Sequence, residues 1–267
     1  MARIESFRDL GCLVTGASSG IGREIARLLA AEGARLVVTA RRAERLEALA
    51  AELVSSGAAS CEVVVADLAE RAATRRIVEE AERRLGAVDA LVNNAGFAVP
   101  GPFLRSDLDR TQAMLEVNVV AATALMHRLL PGMVKRGKGG ALNVASVAAF
   151  QAAPYQAGYA GTKAYLLNLS ESVHQEVKHA GVAVTALCPG VTDTEFFEAA
   201  GYRDLGRFME RRMDAAKVAR IGVRAWKRGR MTVVTGASNR ALLFAERFLP
   251  RTLVAETARR LMAGRKR

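Results

Sequence analysis

Cysteine is scarce in this chain: Cys12, Cys61 and Cys188 are the only three in 267 residues, an odd number, widely spaced, each in or beside an apolar strand-like run. That leaves no disulfide framework and predicts three buried thiols without a redox or metal role. Histidine is as rare. His127, His174 and His179 show neither zinc-ligand spacing nor a His-Glu-x-x-His pattern, so no metal is expected. Nor is there a run of the roughly 20 apolar residues that a membrane-crossing helix needs. The least polar stretch, near Ala141 to Pro154, contains Asn143, Ser146 and Gln151. The first ten residues carry Glu5 and Asp9 and no apolar segment, so they do not read as a signal peptide, and a cytoplasmic location is expected. A Pro/Gly/Ser-rich linker is also missing, which favours a single domain over residues 1–267.

What is present is a globular composition, 51% hydrophobic and 25% charged, with a formal net charge of +12. The excess is localised. From Lys217 onward there are fourteen Lys and Arg against two acids, Glu246 and Glu256, while the rest of the chain is balanced at twenty-five of each sign. Such a tail suits nucleic acid, an anionic membrane surface or an acidic partner, or is a solvated face. No nucleic-acid recognition motif accompanies it, so no specific nucleic acid is expected.

Short β-branched runs alternate with helical patterns: Cys12 to Thr15, Arg35 to Thr39, Glu62 to Ala66, Ala90 to Val92, Ala141 to Ala145 and Val182 to Leu187 read as strands. Alternation of this kind predicts an α/β fold, a doubly wound parallel sheet with helices on both faces. Residues 191–214 break the pattern and read as a partly helical substrate flap. A helix is expected from near Asp214, whose side chain would cap it. A short strand Met231 to Val234 and a basic extension over about 238–267, divided at Pro250, complete the chain. Val234 to Asn239 echoes Val14 to Ser19, but lacks the later glycines; it is taken as chance.

Thr15-Gly16-Ala17-Ser18-Ser19-Gly20-Ile21-Gly22 follows the first strand and opens a helix near Arg23. Glycines there let the backbone approach a pyrophosphate, and the helix N-terminus offers N–H donors and a positive dipole end. The Gly-x3-Gly-x-Gly spacing, Asp67 after the third strand, Asn93-Asn94-Ala95-Gly96 after the fourth, Asn118, Ser146, Tyr159-x3-Lys163, and Pro189-Gly190 with Thr194 recur in order from about residue 10 to 194. This set resembles the classical short-chain dehydrogenase/reductase family. The resemblance implies a Rossmann-type domain and a nicotinamide cofactor bound by Gly16, Ser18, Ser19, Gly20, Ile21 and Gly22 and by Asp67 and Leu68. It also implies contacts from Asn94, Ala95 and Gly96, from Tyr159 and Lys163, and from Pro189, Gly190, Thr192 and Thr194. It implies a catalytic tetrad of Asn118, Ser146, Tyr159 and Lys163, in which Asn118 anchors a water leading to Lys163 and Lys163 also holds the nicotinamide ribose.

The residue types suit that chemistry. Tyr159 and Lys163, four apart on a helix beginning near Gln156, share one face, so the ammonium is expected to lower the phenol's pKa towards working pH. Tyr159 then exchanges a proton with a carbonyl or alcohol oxygen, and Ser146 hydrogen-bonds the same oxygen. Tyr155 is the nearest rival, but Tyr159, not Lys, stands four residues beyond it.

At the end of the second strand an acid would bind the adenosine ribose 2′-OH. Here stand Ala40, Arg41 and Arg42, which favour a 2′-phosphate and hence NADP(H), with NAD(H) also accepted. The segments expected to frame the substrate, Phe97 to Phe103, Val147 to Tyr155 and Phe196 to Met213, are rich in Phe, Val, Ala and Met, and point to a lipid-, steroid- or aromatic-like small-molecule ketone. A non-catalytic nucleotide sensor or scaffold of the same fold is the alternative, disfavoured by the intact tetrad. A homo-oligomer, dimer or tetramer, is expected. Leu249, Leu253 and Leu261, at multiples of four among Arg251, Arg259 and Arg260, form an amphipathic stripe that either packs on the protein or makes peripheral contact with an anionic membrane or an acyl carrier.

Overall fold

The computed structural model describes residues 2–201 and 212–263. Seven parallel strands form one sheet in the order β3-β2-β1-β4-β5-β6-β9. They are β1 (Gly11–Thr15), β2 (Arg35–Ala40), β3 (Ser60–Val65), β4 (Ala90–Asn93), β5 (Gly140–Val144), β6 (Ala183–Cys188) and β9 (Thr232–Val234). Each expected strand is present, displaced by no more than two residues at its ends. The helices between them are α1 (Gly20–Ala31), α2 (Ala43–Ser55), α3 (Ala73–Leu85), α4 (Leu108–Leu115), α5 (Ala122–Arg136), α6 (Ala157–Val177) and α8 (Ala215–Lys227). Helix α1 starts at Gly20, three residues before the expected Arg23, because the glycines lie inside its first turn.

Strand order reverses between β1 and β4, so the connections leaving their C-terminal ends part to opposite sides and leave a crevice there. The strands carry little polarity because both faces are covered. Alternate residues of β1 supply two different cores: Cys12 and Val14 pack with Ile25, Leu29, Leu36 and Trp226, whereas Leu13 packs with Ile77, Leu91, Leu125 and Val184. Trp226 fastens α8 beneath the sheet; it is fully buried, its indole N–H donates to the Ala183 carbonyl at 2.9 Å, and its ring lies 5.2 Å from that of Phe7.

Leu108–Arg136 is one continuous helical stretch in which α4 passes through a π-helical segment, Glu116–Ala121, into α5. By length and composition it could also cross a membrane, although no uninterrupted run of about 20 apolar residues marks it in the sequence. Its residues Leu125, Met126, Leu129 and Met133 are buried against the sheet. Cys12 and Cys188 are buried as expected, but Cys61 is only half-buried; all three are free thiols, and burial pushes Cys61 and Cys188 up to about 12.

The ends of the flap are pinned to each other, β7 (Thr192–Asp193) pairing with β8 (Met213–Asp214), with the short α7 (Phe196–Ala199) between. Tyr202 and Phe208 lie outside the described residues. Asp214 caps α8 as expected, accepting from the Lys217 N–H at 2.9 Å. Helices α9 (Ala237–Glu246) and α10 (Arg251–Ala263) follow β9 and are divided at Pro250. The echo at Val234 to Asn239 has the same local form as the first glycine turn, a strand, a glycine with φ 85° at Gly236, and a helix.

Candidate active site

Gly16 adopts φ +63° beside the end of β4, where a Cβ would lie 2.8 Å from the Ala95 Cα. Asn94 completes this junction: its amide donates to the Thr15 and Gly16 carbonyls at 3.1 and 3.0 Å. The Thr15 hydroxyl accepts from the N–H groups of Asn94 and Ala95 and donates to Val92 O. The glycine turn and the Asn-Asn-Ala-Gly segment are thus one hydrogen-bonded unit at the point where strand order reverses.

The unit fits a dinucleotide. At Ser19, the N-cap of α1, the side chain takes none of the first-turn N–H groups, and no acid occupies that turn, so donors and dipole face the crevice. Asp67 accepts from the Ala69 N–H at 2.9 Å and lies 3.9 Å from Arg41, which is largely exposed. Arg42 is placed differently: it donates to Ser18 and Ser19 Oγ, both at 3.0 Å, and to Glu195 at 2.8 Å. Arg45 reaches the other Glu195 oxygen at 2.6 Å, and these two guanidinium groups hold the Glu195 carboxyl below the usual range. Thr194 lies against Gly20, where a Cβ would meet its Cγ2 at 2.9 Å, so the flap begins directly on the glycine turn.

Deeper in the crevice, Ser146 follows β5, and its hydroxyl, which accepts from the Ala148 N–H at 3.1 Å, lies on the same cavity wall as the Tyr159 phenol. Tyr159 and Lys163 are both buried on one face of α6, with Lys163 Nζ 5.7 Å from the Tyr159 ring centroid. The expected lowering of the tyrosine is not found: burial pushes Tyr159 up to about 12 and outweighs the opposing influence of the nearby Ser146 hydroxyl. The reason is geometric. Lys163 stands over the ring and donates to the Val144 carbonyl at 2.8 Å, and burial lowers its own value to about 8. In this state Tyr159 is a protonated acid.

Asn118 lies in the π-helical segment, a distortion frequent at functional sites. Its amide donates to the Phe97 carbonyl and the Thr162 hydroxyl, both at 3.0 Å, and its Oδ1 accepts from the Phe97 N–H. It therefore clamps the segment after β4 onto α6. A buried chain from Asn93 through Asn143 to Ser170, at 2.9 and 2.8 Å, braces the same helix from the sheet and had no signal in the sequence.

All the expected catalytic residues except Asn118 line a single cavity of about 870 Å³, together with the glycine turn, Arg41, Arg42, Asp67, Asn94 and Thr194. Neither Asn118, whose polar atoms are turned into the protein, nor the rival Tyr155 lies on its wall. The sequence reading missed part of that wall. Asn239, Leu242 and Glu246 belong to it, as do Leu249, Leu253 and Leu261 of the basic extension, all outside the segments expected to frame the substrate. The leucine spacing was legible, but the direction the stripe faces was not.

A family model described as short chain dehydrogenase matches residues 11–203. The chain is 38% identical over 187 residues to serine 3-dehydrogenase of Rhizobium radiobacter, covering 69% of this chain and 72% of that protein. It is 40% identical over 185 residues to a short chain dehydrogenase of Pseudocercospora fijiensis (strain CIRAD86), covering 68% of this chain and 60% of the relative's length. A short-chain dehydrogenase from Sphingobium yanoikuyae, solved in complex with NADPH, superimposes with a TM-score of 0.79 at 30% identity over 96% of both chains.

Proposed function

The chain belongs to the short-chain dehydrogenase/reductase family, and on that premise we propose an NADPH-preferring oxidoreductase that interconverts a ketone and a secondary alcohol on an apolar substrate. The observation that carries this reading is the buried Tyr159 phenol, with Ser146 and Lys163 beside it, in the same cavity as the glycine turn. We read residues 1–267 as one nucleotide-binding domain with a flap at 191–214 and a basic extension at 238–267.

The cradle fits NADP(H), which when bound supplies or accepts the hydride. Backbone N–H groups of the glycine turn and the start of α1 would hold the pyrophosphate. Asp67 and Leu68 would flank the adenine, Asn94 to Gly96 and Pro189 to Thr194 would enclose the nicotinamide half, and Lys163 would hold its ribose. Arg41 is the guanidinium available to a 2′-phosphate, since Arg42 is already engaged by Ser18, Ser19 and Glu195. Tyr159 supplies the proton to the ketone oxygen as negative charge develops there, and Ser146 holds that oxygen by a second hydrogen bond. With the Asn118 side chain occupied, a water leading from Lys163 towards solvent would rest on main-chain oxygen in the π-helical segment.

Apolar side chains support the substrate class: Phe97, Val147, Phe196, Leu242 and Leu253 line the cavity, and the Phe196 ring lies 5.5 Å from that of Tyr159. Three free thiols support the cytoplasmic assignment. Exposed Phe244 and Phe248, with rings 5.4 Å apart and Arg240, Arg247 and Arg251 close by in sequence, support contact with an anionic membrane or an acyl carrier. A homo-oligomer remains part of the proposal.

The test is a panel of apolar ketones with NADPH and with NADH, followed by loss of nicotinamide absorbance. Turnover of apolar ketones with NADPH favoured over NADH is expected. Activity confined to polar substrates, or none on any ketone or its alcohol, would overturn the reading.

A further inference from the structure

Helix α10 presents one face to the cavity. Leu253, Val254, Thr257, Ala258, Leu261 and Met262 all line it, and their spacing of one, four and five residues is that of a single helical stripe. The opposite side carries Arg259 and Arg260, both paired with Glu256 at 2.7 and 2.9 Å. The stripe is not packed as a core: Leu253 is 50% and Leu261 58% exposed, and Leu242 and Leu249, which continue it, are 56% and 46% exposed. Large leucines left half open to a cavity that also contains the reacting phenol need an apolar occupant, and continuity with Tyr159 identifies it as part of the substrate.

The wall is dry in character. Thr257 carries the one hydroxyl among those six residues and donates it to the Leu253 carbonyl at 2.8 Å, within its own helix. Gln151, in the loop after Ser146, and Glu246, at the end of α9, line the same cavity. With the Gln151 amide turned so that its NH2 donates, it reaches the two Glu246 oxygens at 2.5 and 3.1 Å, and burial raises the Glu246 carboxyl. A carboxylate at that position repels a substrate bearing a negative group at the same depth.

We propose that α10 is the wall of an extended subsite that receives the unbranched alkyl chain of a neutral ketone or secondary alcohol, running from Tyr159 to Leu261 along the cavity that Gln151 and Glu246 also line. This rests on the oxidoreductase reading and names its substrate class. From Leu253 to Leu261 the helix rises about 12 Å, enough for a chain of many methylenes. Each methylene transferred to such a wall tightens binding roughly threefold to fourfold.

The test is calorimetric titration of the full-length chain, saturated with NADP+, with straight-chain 2-alkanones from butanone to 2-dodecanone. The expected Kd tightens severalfold with each added methylene in the wild type, and the gain beyond the shorter members is lost in Leu261→Asp and reduced in Leu261→Ala. Cooperative melting verifies that each variant is folded, and the alanine variant suffices if the aspartate variant is not. A Kd independent of chain length, or the same gain per methylene in wild type and in both folded variants, overturns the subsite. NADPH-dependent turnover of the same ketones reads the reaction separately. Chain-dependent binding without turnover leaves the subsite and sinks the reductase, while turnover with chain-independent binding does the reverse.

Discussion

Arg42 ties the flap to the glycine turn: one guanidinium donates to Glu195 at 2.8 Å and to the Ser18 and Ser19 hydroxyls at 3.0 Å. Glu195→Gln cuts this tie without touching the nucleotide-facing backbone. The pair is exposed, and such pairs contribute about 1 kcal/mol or less, so NADPH and NADH should both weaken by no more than roughly fivefold. A fluorescence titration showing a large loss for one cofactor alone would mean that Glu195 acts on the 2′ position.

Arg41 should behave in the opposite way. Its contact is Asp67 at 3.9 Å, and it remains largely exposed at the Asp67 side of the cavity. Arg41→Ala is expected to weaken NADPH roughly ten- to 150-fold, the value of a charge-assisted contact of about 1.5–3 kcal/mol, with little effect on NADH. Equal losses for both cofactors would place Arg41 outside 2′-phosphate recognition.

Tyr159→Phe removes the hydroxyl and keeps the buried ring that packs on Phe196. Folding and NADPH binding should survive, and kcat should fall by about a hundredfold or more. A purified variant with more than about a tenth of wild-type kcat on an accepted ketone would show that the proton comes from elsewhere.

The two buried groups also set a pH dependence. Lys163 is lowered to about 8, so its ammonium is present below that value and is lost above it. Tyr159, raised to about 12, stays protonated throughout the neutral range. Ketone reduction should therefore be flat on its acid side of pH 8 and decline as pH rises through about 8, with the NADPH Kd weakening over the same interval. A decline in NADPH affinity centred near 10, or none at all, would show that Lys163 does not control the alkaline limb.

The exposed end of α9 and the turn after it make a separate prediction. Phe244 and Phe248 are 63% and 75% exposed among arginines, an arrangement suited to an anionic interface. Co-sedimentation with phosphatidylglycerol vesicles should be strong at low salt and fall as the screening length shortens from about 30 Å at 0.01 M to 3 Å at 1 M. Phe244→Ser with Phe248→Ser should reduce it. Binding unchanged by salt and by these substitutions would remove the membrane from the picture.

The strands, their parallel arrangement and the glycine turn were readable from local chemistry along the chain, whereas Asn93 to Gly96, Ser146 and Tyr159-x3-Lys163 were recognised through their resemblance to the family's pattern. Apolar runs buried on both faces specify parallel strands, and glycines specify where backbone approaches backbone. The start of α1 was less legible than those of α6 and α8: the glycines that open it look like loop residues until the turn is seen to be part of the helix.

What the sequence could not decide were relations between groups far apart in the chain. Glu195 meets Arg42 across 153 residues, and Gln151 meets Glu246 only because α9 folds over the loop after Ser146. The leucine stripe of the extension was visible, but whether it faced a membrane, the protein or a ligand depends on where Pro250 redirects the chain. The tyrosine's pKa direction likewise came from tertiary structure. Spacing on α6 places Lys163 near Tyr159, whereas burial of both, and the Val144 carbonyl that takes the ammonium, are products of packing against the sheet. Local sequence determines which residues lie on a shared face. The dielectric around them, and the partner each one chooses there, exist only once distant segments have excluded the water between them.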